Sequence, residues 1–347
     1  MSVSACITSV SGPVLLAEER AFLRGAQPWG VILMGRSCVD RAQVKALTAE
    51  IKEALGREAL IFIDQEGGRV ARLKVPEWPK FPAAGVYGAL YEHAPDAAEE
   101  ACFLGHKLMG RELSELGIHA DCAPCGDLRQ SDTHDAIGDR SFGYSAEAVI
   151  TLAEAAIRGL SEASVAAVVK HMPGQGRATM DTHYDLPSVG AEVSTILQDM
   201  SIFKALADQV PMGMTCHVIF EAFDPQLPTT ISPTVISETI RKRIGFDGLL
   251  MTDDLGMDAL GGALADRGAK ALAAGCDVLL HCSGFLKDPD AILKEMEEVA
   301  EAAGPLDGAA LKRATAADES VQAAQEFDTE QAWDRFNELM SGAEAKA

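Results

Sequence analysis

The sequence predicts a single (β/α)8 barrel of the TIM type, in which eight parallel strands alternate with helices. Short, almost wholly apolar runs alternate along the chain with longer stretches that have the period of an amphipathic helix. The alternation occurs about eight times, which matches the βα units of a closed barrel. A rival open sheet usually carries the phosphate turn G-x-G-x-x-G after its first strand, and that motif does not follow the first strand here.

The eight apolar runs are predicted as barrel strands because strands of a parallel sheet are buried on both faces. In chain order they span residues 5–11, 29–35, 59–65, 117–125, 165–172, 210–218, 248–254 and 276–282. The helical stretches between them include residues 41–56, 97–117, 145–163, 194–209, 232–245 and 260–275. Most of these stretches end at Gly or a polar residue, which favours helix termination.

The C-terminal segment differs from the repeating units. Trp333, Phe336 and Leu339 recur at helical spacing after Pro305. We therefore expect residues 1–304 to form the (β/α)8 barrel, and residues 305–347 to form a C-terminal helical tail packed on it.

Composition limits the possible functions. The 347 residues carry a formal charge of −22, and 48% of them are apolar. Such a chain forms a large core but repels phosphate backbones and anionic lipid, so neither nucleic acid nor a membrane is an expected partner. No apolar run has the roughly 18–20 residues that a membrane span needs, and no Lys or Arg precedes Arg20 as in a secretory signal. We expect a cytoplasmic protein and a monomer.

The cysteines do not indicate a disulfide scaffold. Eight cysteines are dilute in this length, and several lie in apolar runs, so buried free thiols are expected. Cys122 and Cys125 form a C-x-x-C motif, but no second such motif completes a four-cysteine zinc site. A structural role is therefore predicted for this pair, and no metal site is predicted.

Ionisable residues end or follow the third to eighth predicted strands. They are Asp64, Asp127, Lys170, His171, His217, Asp253, Asp254 and His281. Barrel enzymes place their chemistry at the C-terminal ends of the strands, and one such residue alone would more often be a satisfied core group. Their repetition at successive strand ends predicts a polar cleft at this end of the barrel.

The segment 168–187, VVKHMPGQGRATMDTHYDLP, ends a strand in Lys170 and His171 and continues into a Gly-containing loop. On that loop Asp181 stands two residues before His183. A carboxylate at this spacing can accept the Nδ1 proton of the imidazole and orient it as a proton donor or acceptor. The alternative is that Asp181 only caps a turn while His183 is solvated.

The segment 245–257, GFDGLLMTDDLGM, delivers two adjacent carboxylates at a strand end. Asp253 is the candidate nucleophile, because a strand holds such a group at attack distance with little freedom. Only one of the pair can readily point inward, so Asp254 is expected to cap the next turn or to support its neighbour. In the alternative interpretation both carboxylates are caps.

The segment 63–73, IDQEGGRVARL, places several charges around a Gly-Gly turn, and the loop DAIGDRSFG at 135–143 adds another arginine. These charged residues are Asp64, Glu66, Arg69, Arg72 and Arg140. Carboxylates accept hydrogen bonds from hydroxyl groups and arginines donate them, so the set fits a sugar. The alternative is a network in which these charges only pair with one another.

Four segments together resemble glycoside hydrolase family 3, specifically its single-domain β-N-acetylglucosaminidases of the NagZ type. They are IDQEGGRVARL, DAIGDRSFG, KHMPGQG-x4-DTH and MTDDLGM, in the order and spacing of that family, and the resemblance covers residues 1 to about 300. It implies that Asp253 is the catalytic nucleophile and that His183 is the acid/base, with Asp181 as its partner. It also implies a retaining mechanism through a covalent glycosyl-enzyme, without a metal or an organic cofactor.

The same resemblance assigns the sugar-binding residues. Asp64, Arg72 and Arg140 match positions that grip sugar hydroxyls, and Lys170 and His171 match the pair that lines the sugar subsite near the hydroxyls and the N-acetyl group. The family's substrates are N-acetylglucosaminyl-anhydromuramyl peptides from cell-wall recycling, so a small carbohydrate is the expected partner. The usual pattern K-H-F-P-G-H-G has Phe and His where Met172 and Gln175 stand here, and altered loop packing without loss of activity is expected.

Three other functions fit parts of the pattern. A β-glucosidase of the same family would lack the D-x-H loop, so Asp181 and His183 argue against it. A metal-dependent hydrolase on this barrel would need several converging ligands, often with H-x-H on an early strand, and that motif is absent. A non-catalytic sugar-binding barrel would make Asp253 dispensable.

Overall fold

The computed structural model describes residues 2–344, and the side chains of residues 2–341. Within these residues the chain forms ten strands: β1 (Ser4–Ser9), β2 (Pro28–Leu33), β3 (Leu60–Ile63), β4 (Ala120–Asp121), β5 (Ala166–Met172), β6 (Ser188–Val189), β7 (Met212–Thr215), β8 (Ile219–Phe220), β9 (Leu249–Met251) and β10 (Leu279–Leu280). Eight of them pair in parallel in the order β10-β1-β2-β3-β4-β5-β7-β9. A parallel bridge between Met251 and Val278 joins the two ends of this order. The predicted (β/α)8 barrel is thereby confirmed.

The eight predicted strands all exist, but most are shorter than the apolar runs that predicted them. The run 117–125, for example, has only Ala120–Asp121 in regular strand conformation. The rest of the run stays beside its neighbours through separate backbone contacts, such as the hydrogen bond from Cys122 N–H to the carbonyl of Ile63 (2.8 Å) and the parallel bridge between Cys125 and Lys170. The short strands β6 and β8 pair with each other outside the barrel.

The helices surround the barrel in the predicted alternation. They are α1 (Ala17–Ala26), α2 (Arg41–Leu55), α3 (Ala84–Tyr91), α4 (Pro95–Ser114), α5 (Ala146–Glu162), α6 (Val193–Leu206), α7 (Leu264–Ala274), α8 (Pro289–Ala303), α9 (Gly308–Ser320) and α10 (Thr329–Glu344). The segment predicted as a helix at 232–245 forms a π-helix over Val235–Ile244. Its buried residues Ile236, Ile240 and Ile244 recur every four positions and form the apolar face that packs on the core.

The tail beyond α8 contacts the barrel through polar and aromatic groups. The indole of Trp29 donates a hydrogen bond to Asp318 in α9 (3.3 Å), and Trp333 in α10 stacks on Phe81 with ring centroids 5.5 Å apart. The division into residues 1–304 and 305–347 stays a prediction, and residues 345–347 lie outside the described part.

A further contact of the tail involves a carboxylate between β9 and β10. Arg313 of α9 donates to Asp277 Oδ1 at 3.1 Å, while Arg241 of the π-helix donates to Oδ2 at 2.7 Å. The same Oδ2 accepts the backbone N–H of Leu250 in β9 (2.8 Å). Arg313 thus links helix α9 to the junction of β9 and β10, where the barrel closes.

All eight cysteines lie among the described residues. All eight cysteines are free thiols, and seven of them, including Cys122 and Cys125, are buried. Among the described residues, no helix is both long enough and apolar enough to cross a membrane.

Candidate active site

A cavity of about 430 Å³ opens at the C-terminal end of the barrel strands. All the residues predicted from the sequence for catalysis and sugar binding line it: Asp64, Arg72, Arg140, Lys170, His171, Asp181, His183 and Asp253. They come from the ends of β3, β5 and β9 and from the three loops that follow β3, β4 and β5, so residues far apart in the sequence meet at one end of the barrel.

The deep wall of the cavity is centred on Lys170, whose side chain is only 3% exposed. Its Nζ lies 3.1 Å from Asp64 Oδ1 and 2.6 Å from Glu66 Oε1. Burial alone would lower the pKa of this ammonium, but the two carboxylates raise it above its usual value. Lys170 is therefore a fixed positive charge shared by two acids.

Each of these acids has an arginine as its second partner. Arg72 donates to Asp64 Oδ2 at 2.7 Å, and Arg140 forms two hydrogen bonds of 2.8 Å with Glu66. Burial would raise the pKa of both carboxyls, but the neighbouring cations lower it, in Glu66 to about 2. These carboxylates and cations of the wall therefore stay charged at neutral pH. The alternative given by the sequence, in which these charges pair with one another, thus holds within the cavity itself.

His171 is oriented by the buried Asp127 behind it. Asp127 accepts hydrogen bonds from His171 Nδ1 (2.6 Å), the backbone N–H of Gln175 (2.6 Å) and the thiol of Cys125 (3.2 Å). Since Nδ1 donates to Asp127, His171 Nε2 is left as an acceptor, and Arg140 Nη2 lies 3.4 Å from it. Asp127 thus fixes which nitrogen of His171 faces the cavity.

Cys125, Asp127 and His171 are also a possible set of metal ligands, with ligand atoms within 4.8 Å of one another. Burial raises the pKa of the Cys125 thiol well above its usual value, so the sulfur stays protonated and donates to Asp127. A metal would need the thiolate and would displace two of the protons that Asp127 accepts. The set therefore suits a hydrogen-bonded support better than an ion.

The two carboxylates after β9 have different surroundings. Asp253 is partly exposed in the cavity, and its Oδ1 accepts the backbone N–H of Asp254 (2.8 Å). Asp254 Oδ1 accepts the backbone N–H groups of Gly256 and Cys282, each at 3.0 Å. Asp254 is therefore held by the backbone, and Asp253 keeps most of its acceptor capacity for a ligand.

His281 lies beneath this pair, between two acids. Its Nδ1 is 3.2 Å from Asp254 Oδ1, an ion-pair distance without hydrogen-bond alignment, and its Nε2 is 2.9 Å from Glu295 Oε2. Burial would lower the pKa of this imidazole, but the two carboxylates raise it to about 9. His281 is thus a cation at neutral pH.

Three of the strand-end residues expected in the cleft do not line the cavity: Asp127, His217 and His281. Leu280 and Cys282 line it, and the alternation along the strand turns the intervening His281 away. His217 is buried, donates to the carbonyl of Asp254 (3.1 Å) and has its pKa lowered by burial. These residues support the ones that reach the ligand.

The loop after β5 carries the Asp181–His183 pair at the mouth of the cavity. Asp181 Oδ1 accepts the Nδ1 proton of His183 (2.7 Å) and also its backbone N–H (3.0 Å). The side chain of His183 is 45% exposed, whereas that of His171 is only 5% exposed. With Nδ1 bound to Asp181, Nε2 is the nitrogen that can exchange a proton with a ligand.

Aromatic rings surround His183 at this rim. The ring of Phe285 stands edge-on to the imidazole with centroids 5.9 Å apart, and Tyr184 lies 6.4 Å from both rings. Both aromatic side chains are more than half exposed. The rim therefore combines a proton-carrying group with an apolar surface.

The cavity is also lined by Gln175, Tyr184 and Phe285, which the sequence did not indicate as binding residues. Glu66 belonged to the set of charges that fits a sugar but had no role of its own; in the structure it lies two residues after Asp64, and the two carboxylates share Lys170. Gln175 was noted only as a departure from a family pattern. Nothing in the local sequence distinguished the two rim aromatics from ordinary surface residues.

Comparisons with known proteins agree on one family. Residues 10–316 match the family described as glycosyl hydrolase family 3 N terminal domain. A protein of Alkalilimnicola ehrlichii named beta-hexosaminidase is 37% identical over 305 residues, which are 84% of this chain and 87% of that protein.

Solved structures extend this likeness to the fold. The NagZ of Neisseria gonorrhoeae, solved in complex with N-trifluoroacetyl-D-glucosamine, superposes with a TM-score of 0.83 at 26% identity over 99% of this chain and 98% of that one. A glycoside hydrolase family 3 beta-N-acetylglucosaminidase of Paenibacillus gives a TM-score of 0.84 at 27% identity. The match covers 96% of this chain but only 66% of that longer protein.

Proposed function

Since this chain belongs to glycoside hydrolase family 3, we propose that it is a retaining, exo-acting β-N-acetylglucosaminidase that removes terminal β-linked N-acetylglucosamine. The observation that carries the proposal is that one cavity contains the carboxylate of Asp253 and the Asp181–His183 pair. Hydrolysis of an acetal with retention needs such a nucleophile and such a proton donor.

In the first step a carboxylate oxygen of Asp253 attacks the anomeric carbon, and the bond from that carbon to the glycosidic oxygen breaks. His183 gives the proton on Nε2 to the departing oxygen, which leaves as an alcohol. The hydrogen bond from Asp254 N–H to Asp253 Oδ1 holds the carboxylate without neutralising it. The product of this step is a glycosyl ester of Asp253.

In the second step water attacks the anomeric carbon of this ester. His183 Nε2 takes one proton of the water, the new bond to oxygen replaces the bond to Asp253, and the carboxylate is released. Asp181 remains hydrogen-bonded to Nδ1 through both steps and keeps Nε2 of His183 directed at the reacting oxygen. The imidazole returns to its starting protonation state at the end of the cycle.

The deep wall supplies the grip on the sugar. Asp64 and Glu66 present acceptors for hydroxyl groups, while Lys170, Arg72 and Arg140 supply donors. Because these groups are already paired and oriented, a sugar exchanges water for a preorganised set of partners. His171 lies beside them, and we place it near the hydroxyls and the N-acetyl group.

We propose N-acetylglucosaminyl-anhydromuropeptides from cell-wall recycling as the natural substrate, hydrolysed by a cytoplasmic monomer. The names of the relatives support the sugar, since they are a beta-hexosaminidase and an N-acetylglucosaminidase. The ligand in the neisserial structure is likewise an N-acylated glucosamine. The aglycone part of the proposal rests on the family resemblance.

The test is hydrolysis of 4-nitrophenyl N-acetyl-β-glucosaminide beside the matching β-glucoside, each with and without a chelator. We expect cleavage of the first substrate only, unaffected by the chelator. Asp253→Ala is expected to lower kcat by about 10³-fold or more with unfolding unchanged, and Asp266→Ala on the exposed start of α7 is the matched control. An active Asp253→Ala enzyme would refute the mechanism, and cleavage of the glucoside alone would indicate the β-glucosidase function.

A further inference from the structure

A second cavity of about 270 Å³ adjoins the first one at the rim. The two cavities share His183, Tyr184, Gly284 and Phe285, and the second is completed by residues that follow β9 and β10 and by Glu295 of α8. In the proposed reaction the glycosidic oxygen receives its proton from His183. The leaving group therefore begins at His183, and the adjoining cavity offers it room.

The shared boundary is aromatic and open to solvent. Tyr184 is 66% exposed and Phe285 is 58% exposed, with ring centroids 6.4 Å apart. Large aromatic side chains at the edge of a polar pocket are characteristic of binding surfaces. A pyranose ring has an apolar face of C–H groups that can lie on such rings, while its hydroxyl groups remain in water.

The other charged groups that line the second cavity are both acidic. They are Asp258, which is exposed, and Glu295, whose Oε2 takes the hydrogen bonds from His281 and Ser283. In the described part of the chain no other hydrogen bond to Glu295 occurs, so its Oε1 is available to a donor of a ligand. The charge of Glu295 is balanced by the His281 cation, so a ligand carboxylate here would meet the like charge of Asp258, whereas an amide or hydroxyl would find an acceptor in Glu295 Oε1.

We propose that Tyr184, Phe285 and Asp258 form the subsite for the first sugar ring of the leaving group, and that this subsite favours rings whose substituents carry no free carboxylate. The inference rests on the proposed glycosidase function and narrows its substrate class. For a muramyl-type leaving group, it means that a lactyl group capped by an amide is preferred to the free lactyl acid. Tyr184 and Phe285 act by stacking on the ring, and Asp258 acts by excluding negative charge.

The first experiment compares two substrates that both have poor leaving groups, namely N,N′-diacetylchitobiose and methyl N-acetyl-β-glucosaminide. Only the first has a ring for the proposed subsite. In the double variant Tyr184→Ala/Phe285→Ala, we expect the kcat/KM ratio of chitobiose to methyl glycoside to fall about tenfold. Leu186→Ala, an exposed apolar side chain on the same loop outside both cavities, is the matched control and should leave the ratio unchanged.

Because Phe285 contacts His183, the rings could act only by holding the imidazole. In that case both substrates would slow equally, the ratio would not move, and the subsite proposal would be overturned. If the wild-type enzyme cleaves neither of these substrates nor the chromogenic one, the glycosidase proposal itself fails. Cleavage of the methyl glycoside with an unmoved ratio refutes only the subsite.

The second experiment tests the charge preference with N-acetylglucosaminyl-β-1,4-N-acetylmuramic acid and its lactyl methylamide, which differ mainly in one charge. We expect kcat/KM to favour the amide by about fivefold at low ionic strength. Asp258→Asn should narrow that preference, and added salt should do the same. Equal rates for the two substrates, or a preference for the acid, would overturn the proposed selection.

Discussion

The deep wall of the cavity and its rim are built differently. In the deep wall, Lys170, Glu66 and Arg140 have side chains 13% exposed or less, and every charge is paired with an opposite one. At the rim, His183 is 45% exposed and is held mainly by Asp181 two residues away. The wall depends on contacts between distant strands, whereas the rim depends on contacts within one loop.

This difference separates two tasks of the proposed reaction. Recognition of the sugar needs groups that do not move, and burying paired charges between strands keeps them fixed. Proton transfer to a departing group needs access for the substrate and for water, which an exposed loop provides. Substitutions in the wall should therefore reduce both stability and activity, and substitutions at the rim should reduce activity alone.

The largest effect is expected for Lys170→Met. The change leaves Asp64 and Glu66 without their shared cation, so we expect the free energy of unfolding to fall by about 3 kcal/mol or more and kcat/KM to fall by about 10³-fold. Denaturant titration and steady-state kinetics measure the two losses. Lys204→Met on the exposed face of α6 is the control. If Lys170→Met lost activity at unchanged stability, the deep wall and the rim would not differ in the way described.

His183→Ala should give the opposite result. We expect rates on substrates with poor leaving groups to fall by about 10²–10⁴-fold, while the free energy of unfolding changes by less than about 0.5 kcal/mol. A series of aryl N-acetylglucosaminides of graded leaving-group pKa measures this. Equal slowing across the series would count against His183 as the acid.

The pairing of His281 with Asp254 and Glu295, next to the nucleophile, can be tested through the pH dependence of stability. The pKa of His281 is raised from 6.5 to about 9 in the folded protein, so its contribution is complete below pH 6.5 and is lost as the pH rises through 9. The wild type should therefore lose on the order of 3 kcal/mol of unfolding free energy across this window. His281→Asn should lose much less, and parallel stability curves for the two proteins would contradict the expectation.

The smallest effect is expected behind His171. Cys125→Ala removes one donor from Asp127, which keeps those from His171 and Gln175. We expect a loss of about 1 kcal/mol in unfolding free energy and a severalfold rise in KM. Cys125→Ser retains a donor and should lose less of both, whereas identical behaviour of the two variants would show that packing alone matters.

Much of the fold was predictable because its signals are local. Apolar runs such as 165–172 are buried on both faces, and strands of this kind appear as runs in any sequence. The meeting of Asp64, Lys170 and Asp253 also followed, since parallel strands of a barrel bring their C-terminal ends to one face. The roles of these residues remain predictions until the variants are measured.

The parts that were not predictable depend on register and on distant partners. Which of Leu280, His281 and Cys282 faces the cavity is decided by the alternation along the strand, which a continuous apolar run does not reveal. The pairing of Glu66 with Arg140 joins residues 74 positions apart. The π-helix at Val235–Ile244 has a repeat close enough to that of an α-helix that composition did not separate them.

The hydrogen bonds of Asp277 bear on how far the chain can be shortened. Arg313 of α9 shares this carboxylate with Arg241 and with the backbone of β9, the strand that carries Asp253 two residues beyond its end. A chain clipped after Gly304 would lose one of the two guanidinium groups at the seam of the barrel and uncover apolar surface. Proteolytic removal of α9 and α10 would therefore weaken the anchoring of β9, and with it the positioning of Asp253, although the cleavage site lies far from the cavity.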